Sequence, residues 1–82
     1  MGTRRIHDYS YLIERLDERN NTFETIGEMN NFAVAKAAFE AALTQRTMAR
    51  LTLREGGRII ELVETGLYDS KTGKVAVLQR RG

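Results

Sequence analysis

Ala49-Arg50-Leu51-Thr52-Leu53-Arg54-Glu55-Gly56-Gly57-Arg58-Ile59-Ile60-Glu61-Leu62-Val63-Glu64 is the stretch on which the fold turns. Residues 49–54 alternate apolar and polar with period two, as a half-buried strand does. Gly56-Gly57 is a two-residue turn signal, because both central positions of the favoured hairpin turn take positive φ. Residues 58–64 then form the return strand. With Gly56-Gly57 as the loop, Leu53 faces Ile60 and Leu51 faces Leu62, which makes one apolar face. On the other face Arg54 opposes Ile59, Thr52 opposes Glu61 and Arg50 opposes Val63.

Upstream, the spacing predicts a helix over 31–46. Asn30 or Asn31 can cap it, since the Asn side chain accepts a hydrogen bond from a free N–H of the first turn. The segment is rich in alanine, the strongest helix former. Phe32, Ala35, Phe39, Ala42 and Leu43 share one face at i, i+3, i+4, i+7 spacing. Lys36 and Glu40 form an i,i+4 pair. Arg46 falls in the last turn, where a cation suits the helix dipole.

Downstream, Asp69-Ser70-Lys71-Thr72-Gly73 reads as a turn with a glycine bulge, leading into a strand over 74–79. Arg80, Arg81 and Gly82 form a loose basic tail on this reading. The first third is ambiguous. Residues 8–16 fit a helix capped by Asp8, with Leu12, Ile13 and Leu16 on one face. They also fit a strand in which Tyr9, Tyr11 and Ile13 alternate, followed by a turn over 18–21 and a return strand over 22–26. The tyrosines favour the strand, and Asn20-Asn21 can take left-handed turn conformations. Residues 1–7 show no periodicity and read as a flexible arm. The expected fold is one small α+β domain over 1–82, with order β-β-α-β-β-β. It has two layers: an antiparallel sheet of four to five strands, and one helix packed on one face.

The stretch from Ala35, Ala38 and Phe39 through Arg50-Leu51-Thr52-Leu53-Arg54-Glu55-Gly56-Gly57-Arg58-Ile59-Ile60 resembles a pattern in small uncharacterised proteobacterial proteins. There a hairpin leads into an alanine-rich helix and then an Arg-Leu-x-Leu-Arg-x-Gly-x-Arg hairpin. The resemblance covers about residues 27–60. It implies the β-β-α-β-β order and a bacterial origin, and it carries no activity with it.

Composition narrows the function classes. The chain has 82 residues, no cysteine, no proline and one histidine. A disulfide scaffold and any thiolate chemistry are therefore excluded. No apolar run reaches membrane-spanning length, and no apolar region follows Arg4-Arg5 as in a secretory leader, so a cytoplasmic location is expected. His7 beside Asp8 is the one imidazole that could serve as a general base, and a solvent-exposed residue is the preferred reading. Carboxylate pairs Asp17-Glu18 and Glu61 with Glu64 do not make a metal site, because Glu61 and Glu64 point to opposite faces of a strand. Glu55-Gly56-Gly57-Arg58 lacks the spacing of a phosphate loop and does not open a helix. Neither enzyme activity nor a cofactor or metal is expected.

Two surfaces remain. The net charge of +2 divides into −2 over residues 1–41 and +4 over 42–82. Arg50, Arg54, Lys71, Lys74, Arg80 and Arg81 are thus candidate nucleic-acid contacts, although Glu61 lies diagonal to Arg50 and Arg54 and no aromatic residue on this hairpin offers a stacking platform. One helix covers only one side of a sheet. Ile59 and Val63, with Val75 and Val77 or Ala76 and Leu78, are therefore expected on an uncovered apolar face. Such a patch on a small domain marks an association surface. The expectation is a protein-interaction module, forming a homodimer through the uncovered face or an edge strand, with nucleic-acid binding as the alternative.

Overall fold

The structure, a computed structural model, describes residues 10–82. The elements are β1 (Tyr11–Leu16), β2 (Thr22–Met29), α1 (Phe32–Leu43), β3 (Arg50–Glu55), β4 (Arg58–Asp69) and β5 (Lys74–Arg81). They form one antiparallel sheet in the order β2-β1-β3-β4-β5, with α1 packed against it. Both β2 and β3 pair with β1, so the helical connection crosses over one strand. The expected α+β order and two-layer architecture are thus present, with five strands.

The first third is a hairpin. Asp17 organises its turn: the carboxylate accepts hydrogen bonds from the backbone N–H of Arg19 and Asn21 at 2.8 and 2.9 Å. Asn20 takes the left-handed conformation, at φ 65°. The return strand runs to Met29, three residues beyond the expected Ile26. Residues 1–7, read as an arm, lie outside the described residues, as do His7, Asp8 and Tyr9.

Asn31 caps α1, its side chain accepting from the Val34 N–H at 3.1 Å. Ala35, Phe39, Ala42 and Leu43 are buried against Ile13, Leu51, Leu53 and Val63 of the sheet. The small Ala35 and Ala42 let the helix approach closely enough for Phe39 to fill the centre. Phe32 sits at the margin of this face, meeting Tyr11 edge-on at 5.6 Å between ring centroids. The helix stops at Leu43, short of the expected Arg46. The Thr44 hydroxyl donates to the Ala41 carbonyl at 2.7 Å, and Arg46 instead pairs with Glu24 on β2 at 3.2 Å.

The Gly56-Gly57 loop joins β3 and β4 as expected, with Gly56 alone of the two at positive φ (57°). Beyond Arg54–Ile59 the register departs from the simple ladder. A bulge takes up Ile60, so Leu53 pairs with Glu61, Thr52 with Leu62, Leu51 with Val63 and Arg50 with Glu64. One extra residue moves every later side chain of β4 to the other face. Val63 therefore enters the core, and Leu62 leaves it. β5 likewise exceeds its expected length. Arg80 and Arg81 are strand residues paired with Val63 and Leu62, not a loose tail.

Candidate interaction surface

The bulge decides where the charged side chains go. Glu61 stands on the helix side, where it meets Lys36 of α1 and, at 2.8 Å, Arg80 of β5. Glu40 of α1 completes the group, 3.0 Å from Lys36 and also bonded to Arg80. This four-membered network fastens the end of β5 to the helix. Arg80 and then Lys36 hold the Glu40 carboxyl below its ordinary value. Burial pushes Glu61 upward, but its hydrogen bonds to Lys36 and Arg80 prevail and the net direction is down. The expected diagonal pairing of Glu61 with Arg50 and Arg54 is therefore not made, because Glu61 occupies the opposite face.

The face away from α1 carries Leu12, Glu14, Thr52, Arg54, Ile59 and Leu62, as the pairings of β1, β3 and β4 require. Arg54 forks onto the buried Glu14 carboxylate, Nε to Oε1 at 2.7 Å and Nη2 to Oε2 at 3.1 Å, and also reaches the Gly56 carbonyl. Such a bidentate pair is the strongest geometry open to an arginine. Glu14 raises the Arg54 pKa further by the same hydrogen bond. Arg50 donates to Glu64 at 3.1 Å and to the Asn20 side chain. This face is consequently crossed by ion pairs and is not a bare apolar surface.

Of the two candidate interface residues, Ile59 is 54% exposed and lies on the far face, while Val63 is fully buried beneath the helix. Val63 is thus corrected from a surface to a core residue, for the reason of the Ile60 bulge. The six candidate nucleic-acid residues do not converge. Arg50 and Arg54 are engaged on the far face, Arg81 reaches that face from β5, and Arg80 is bound on the helix side. Lys71 and Lys74 stand at the β4–β5 turn. Opposite charges beside Arg50, Arg54 and Arg80 cancel much of the field that a polyanion would feel.

The exposed apolar side chains gather elsewhere. β4 runs on beyond its partner β3. The Thr65 N–H donates to the Ala49 carbonyl at 2.8 Å, and the Met48 N–H to the Gly66 carbonyl at 3.0 Å. Past that point residues 67–76 form a ribbon of two strands alone among the described residues. Leu67, Tyr68 and Leu78 are more than half exposed and Val77 nearly so. At its root, Leu78 lies across Gly66, where a Cβ would stand 3.0 Å from the leucine side chain. Met48 is exposed beside it and holds the left-handed conformation, at φ 52°.

Sequence reasoning ended β4 at Glu64 and so missed Leu67 and Tyr68. The signal was available in the second turn: a strand that follows Gly73 needs a partner of equal length before Asp69. Gly73 indeed takes φ 73°, its N–H bonded to the Asp69 carbonyl at 2.8 Å. No helix of the described residues is long and apolar enough to cross a membrane. Comparison of the chain with protein-family models, curated proteins and solved structures found no match in any of the three.

Proposed function

We propose that the chain is a non-catalytic protein-interaction module that self-associates, with the β4–β5 ribbon at the contact. The observation that carries this reading is the apolar ribbon itself. A two-stranded hairpin is marginal in water unless another element covers it. Here Leu67, Tyr68, Val77 and Leu78 are uncovered on a ribbon that projects past β3. Consecutive strand residues turn to opposite faces, so Leu67 and Tyr68, like Val77 and Leu78, divide this apolar surface between the two sides of the ribbon. On a small domain such an exposed surface marks an association site, whereas Ile59 stands as a single exposed side chain among ion pairs.

Sedimentation velocity at tens of micromolar tests the proposal. The expected result is a dimer that Leu67→Lys with Leu78→Lys converts to monomer, while Ile59→Lys leaves it intact. A wild-type monomer overturns self-association. Loss of the dimer through Ile59→Lys alone overturns the ribbon as the contact and favours the far sheet face.

A second reading is nucleic-acid binding through Lys71, Lys74 and Arg81, which make no ion pair among the described residues. It requires affinity for labelled oligonucleotides that falls steeply with salt, because phosphate contacts release counterions. Salt-independent or absent binding removes it.

A further inference from the structure

The sheet face away from α1 is buried along β1, where none of the described elements covers it. Leu12 is 1% exposed, Glu14 4%, and Thr52, which pairs with Glu14, 1%. These side chains point away from the helix, because Ile13, Leu51 and Leu53, which alternate with them, pack in the core beneath it. Leu12 takes no part in that core. Its cross-strand neighbours are Glu28 on β2 and Arg54 on β3, which stand beside it. An uncovered antiparallel face shows its side chains to water, so a leucine buried to this extent has atoms above it as well as beside it. The cover is narrow. On β4, two strands from β1, Ile59 of the same face is 54% exposed.

The chain enters β1 through Ser10, itself buried. Residues 1–9 lie outside the described residues and read Met1-Gly2-Thr3-Arg4-Arg5-Ile6-His7-Asp8-Tyr9. We propose that this segment turns back at Ser10 and lies across the far face as a strap, with Ile6 over Leu12 and Arg4-Arg5 toward the Glu14 and Glu28 carboxylates. Its length suffices: nine residues reach up to about 30 Å, whereas Glu14 stands about 13 Å from Ser10 at the ordinary strand rise. Its charge is complementary. Arg4 and Arg5 outweigh Asp8, and the residues flanking Leu12 along β1 and across on β2 include Glu14 and Glu28. The buried strip is also the part of the face nearest Ser10, as a strap tethered there requires. A second copy has no such tether and would cover β4 as readily as β1. The strap withholds this face from partners and leaves the β4–β5 ribbon as the open apolar surface. It does not depend on self-association through that ribbon.

Methyl NMR on the full chain tests the strap. In the unmodified chain Ile6 is expected to give nuclear Overhauser contacts to the Leu12 methyls. A soluble gadolinium chelate is expected to relax Leu12 as weakly as the core residue Leu53, with the exposed Leu67 setting the open limit. A variant carrying Arg4→Glu, Arg5→Glu and Ile6→Asp is expected to lose those contacts and to raise the relaxation of Leu12 toward that of Leu67, with Leu53 unchanged. Absence of Ile6–Leu12 contacts in the unmodified chain overturns the strap. So does a variant in which Leu12 stays protected, and so does a rise shared by Leu53, which reports loss of the whole fold. Protection of Leu12 that disappears on dilution overturns it too, and assigns the cover to a second copy.

Discussion

Two threonines buried in the sheet meet opposite fates, and the same substitution at each should shift stability in opposite directions. Thr52 is 1% exposed and Thr65 is 2% exposed. The Thr65 hydroxyl donates to the Arg46 carbonyl at 2.7 Å and accepts from the Ala49 N–H at 3.0 Å, tying the loop after α1 to β4. The Thr52 hydroxyl is sealed on β3 and has no hydrogen-bond partner among the described residues. Leaving a buried hydroxyl unpaired costs about 1–3 kcal/mol, whereas an apolar group of the same shape carries no such penalty. Valine matches threonine in outline and shares its β-branched preference for strands, so rotamer and propensity effects largely cancel. Thr52→Val should therefore stabilise the fold by about 1–3 kcal/mol. Thr65→Val should destabilise it by about 1–3 kcal/mol, since two backbone groups lose their partner. For a domain of this size each kcal/mol moves the Tm by about 4–8 °C, so the two variants should separate by several degrees on either side of the wild type. Urea unfolding at pH 7 followed by circular dichroism gives the free energies, with equal m-values as the check that only stability changed. Thr52→Val that destabilises by about 1 kcal/mol or more would refute the reasoning. It would mean that the hydroxyl is bonded in solution.

The remaining predictions concern the core and its ion pairs. Phe39→Ala removes the largest fully buried side chain and should cost about 3–5 kcal/mol, much of what a domain of this length has, measurable as a fall in the urea midpoint. Arg54→Ala removes the bidentate partner of Glu14, whose side chain is 5% exposed, and should cost about 1–3 kcal/mol after allowance for the partly exposed arginine, read in the same titration. Glu40 and Glu61 have folded pKa values below the ordinary 4.5, so their network contributes stability that is fully present above that value. That contribution is lost as the pH falls through the lowered values, and replacing both with glutamine should flatten the acid limb of a stability–pH profile.

Much of the fold is legible in local chemistry. Asn31 signals the start of α1, Gly56 and Gly73 mark the turns of two hairpins, and Asn20 marks the third. Those positions are readable because a cap or a positive φ imposes its demand within a few residues. The alternation in Arg50-Leu51-Thr52-Leu53-Arg54 is equally local, and Leu51 and Leu53 are buried under the helix as it requires.

The partner strand is different. Ile59-Ile60-Glu61-Leu62-Val63 has apolar side chains at both parities, so period two alone does not choose its inner face. The structure chooses by inserting the Ile60 bulge, which buries Val63 and turns Glu61 toward Lys36 and Arg80. The destinations of the arginines follow from that choice. A sequence shows that Arg54 is basic, but only the pairing of β1 with β3 brings Glu14 against it across 40 residues. The uncovered apolar surface is likewise a tertiary result. It lies where β4 and β5 outrun β3, and the length of one strand relative to its neighbour is fixed by which segments pack together. Caps, turns and periodicity are properties of neighbouring residues and are written in the chain. Faces, ion pairs and exposed ribbons depend on distant segments meeting, and only the packed sheet and helix decide them.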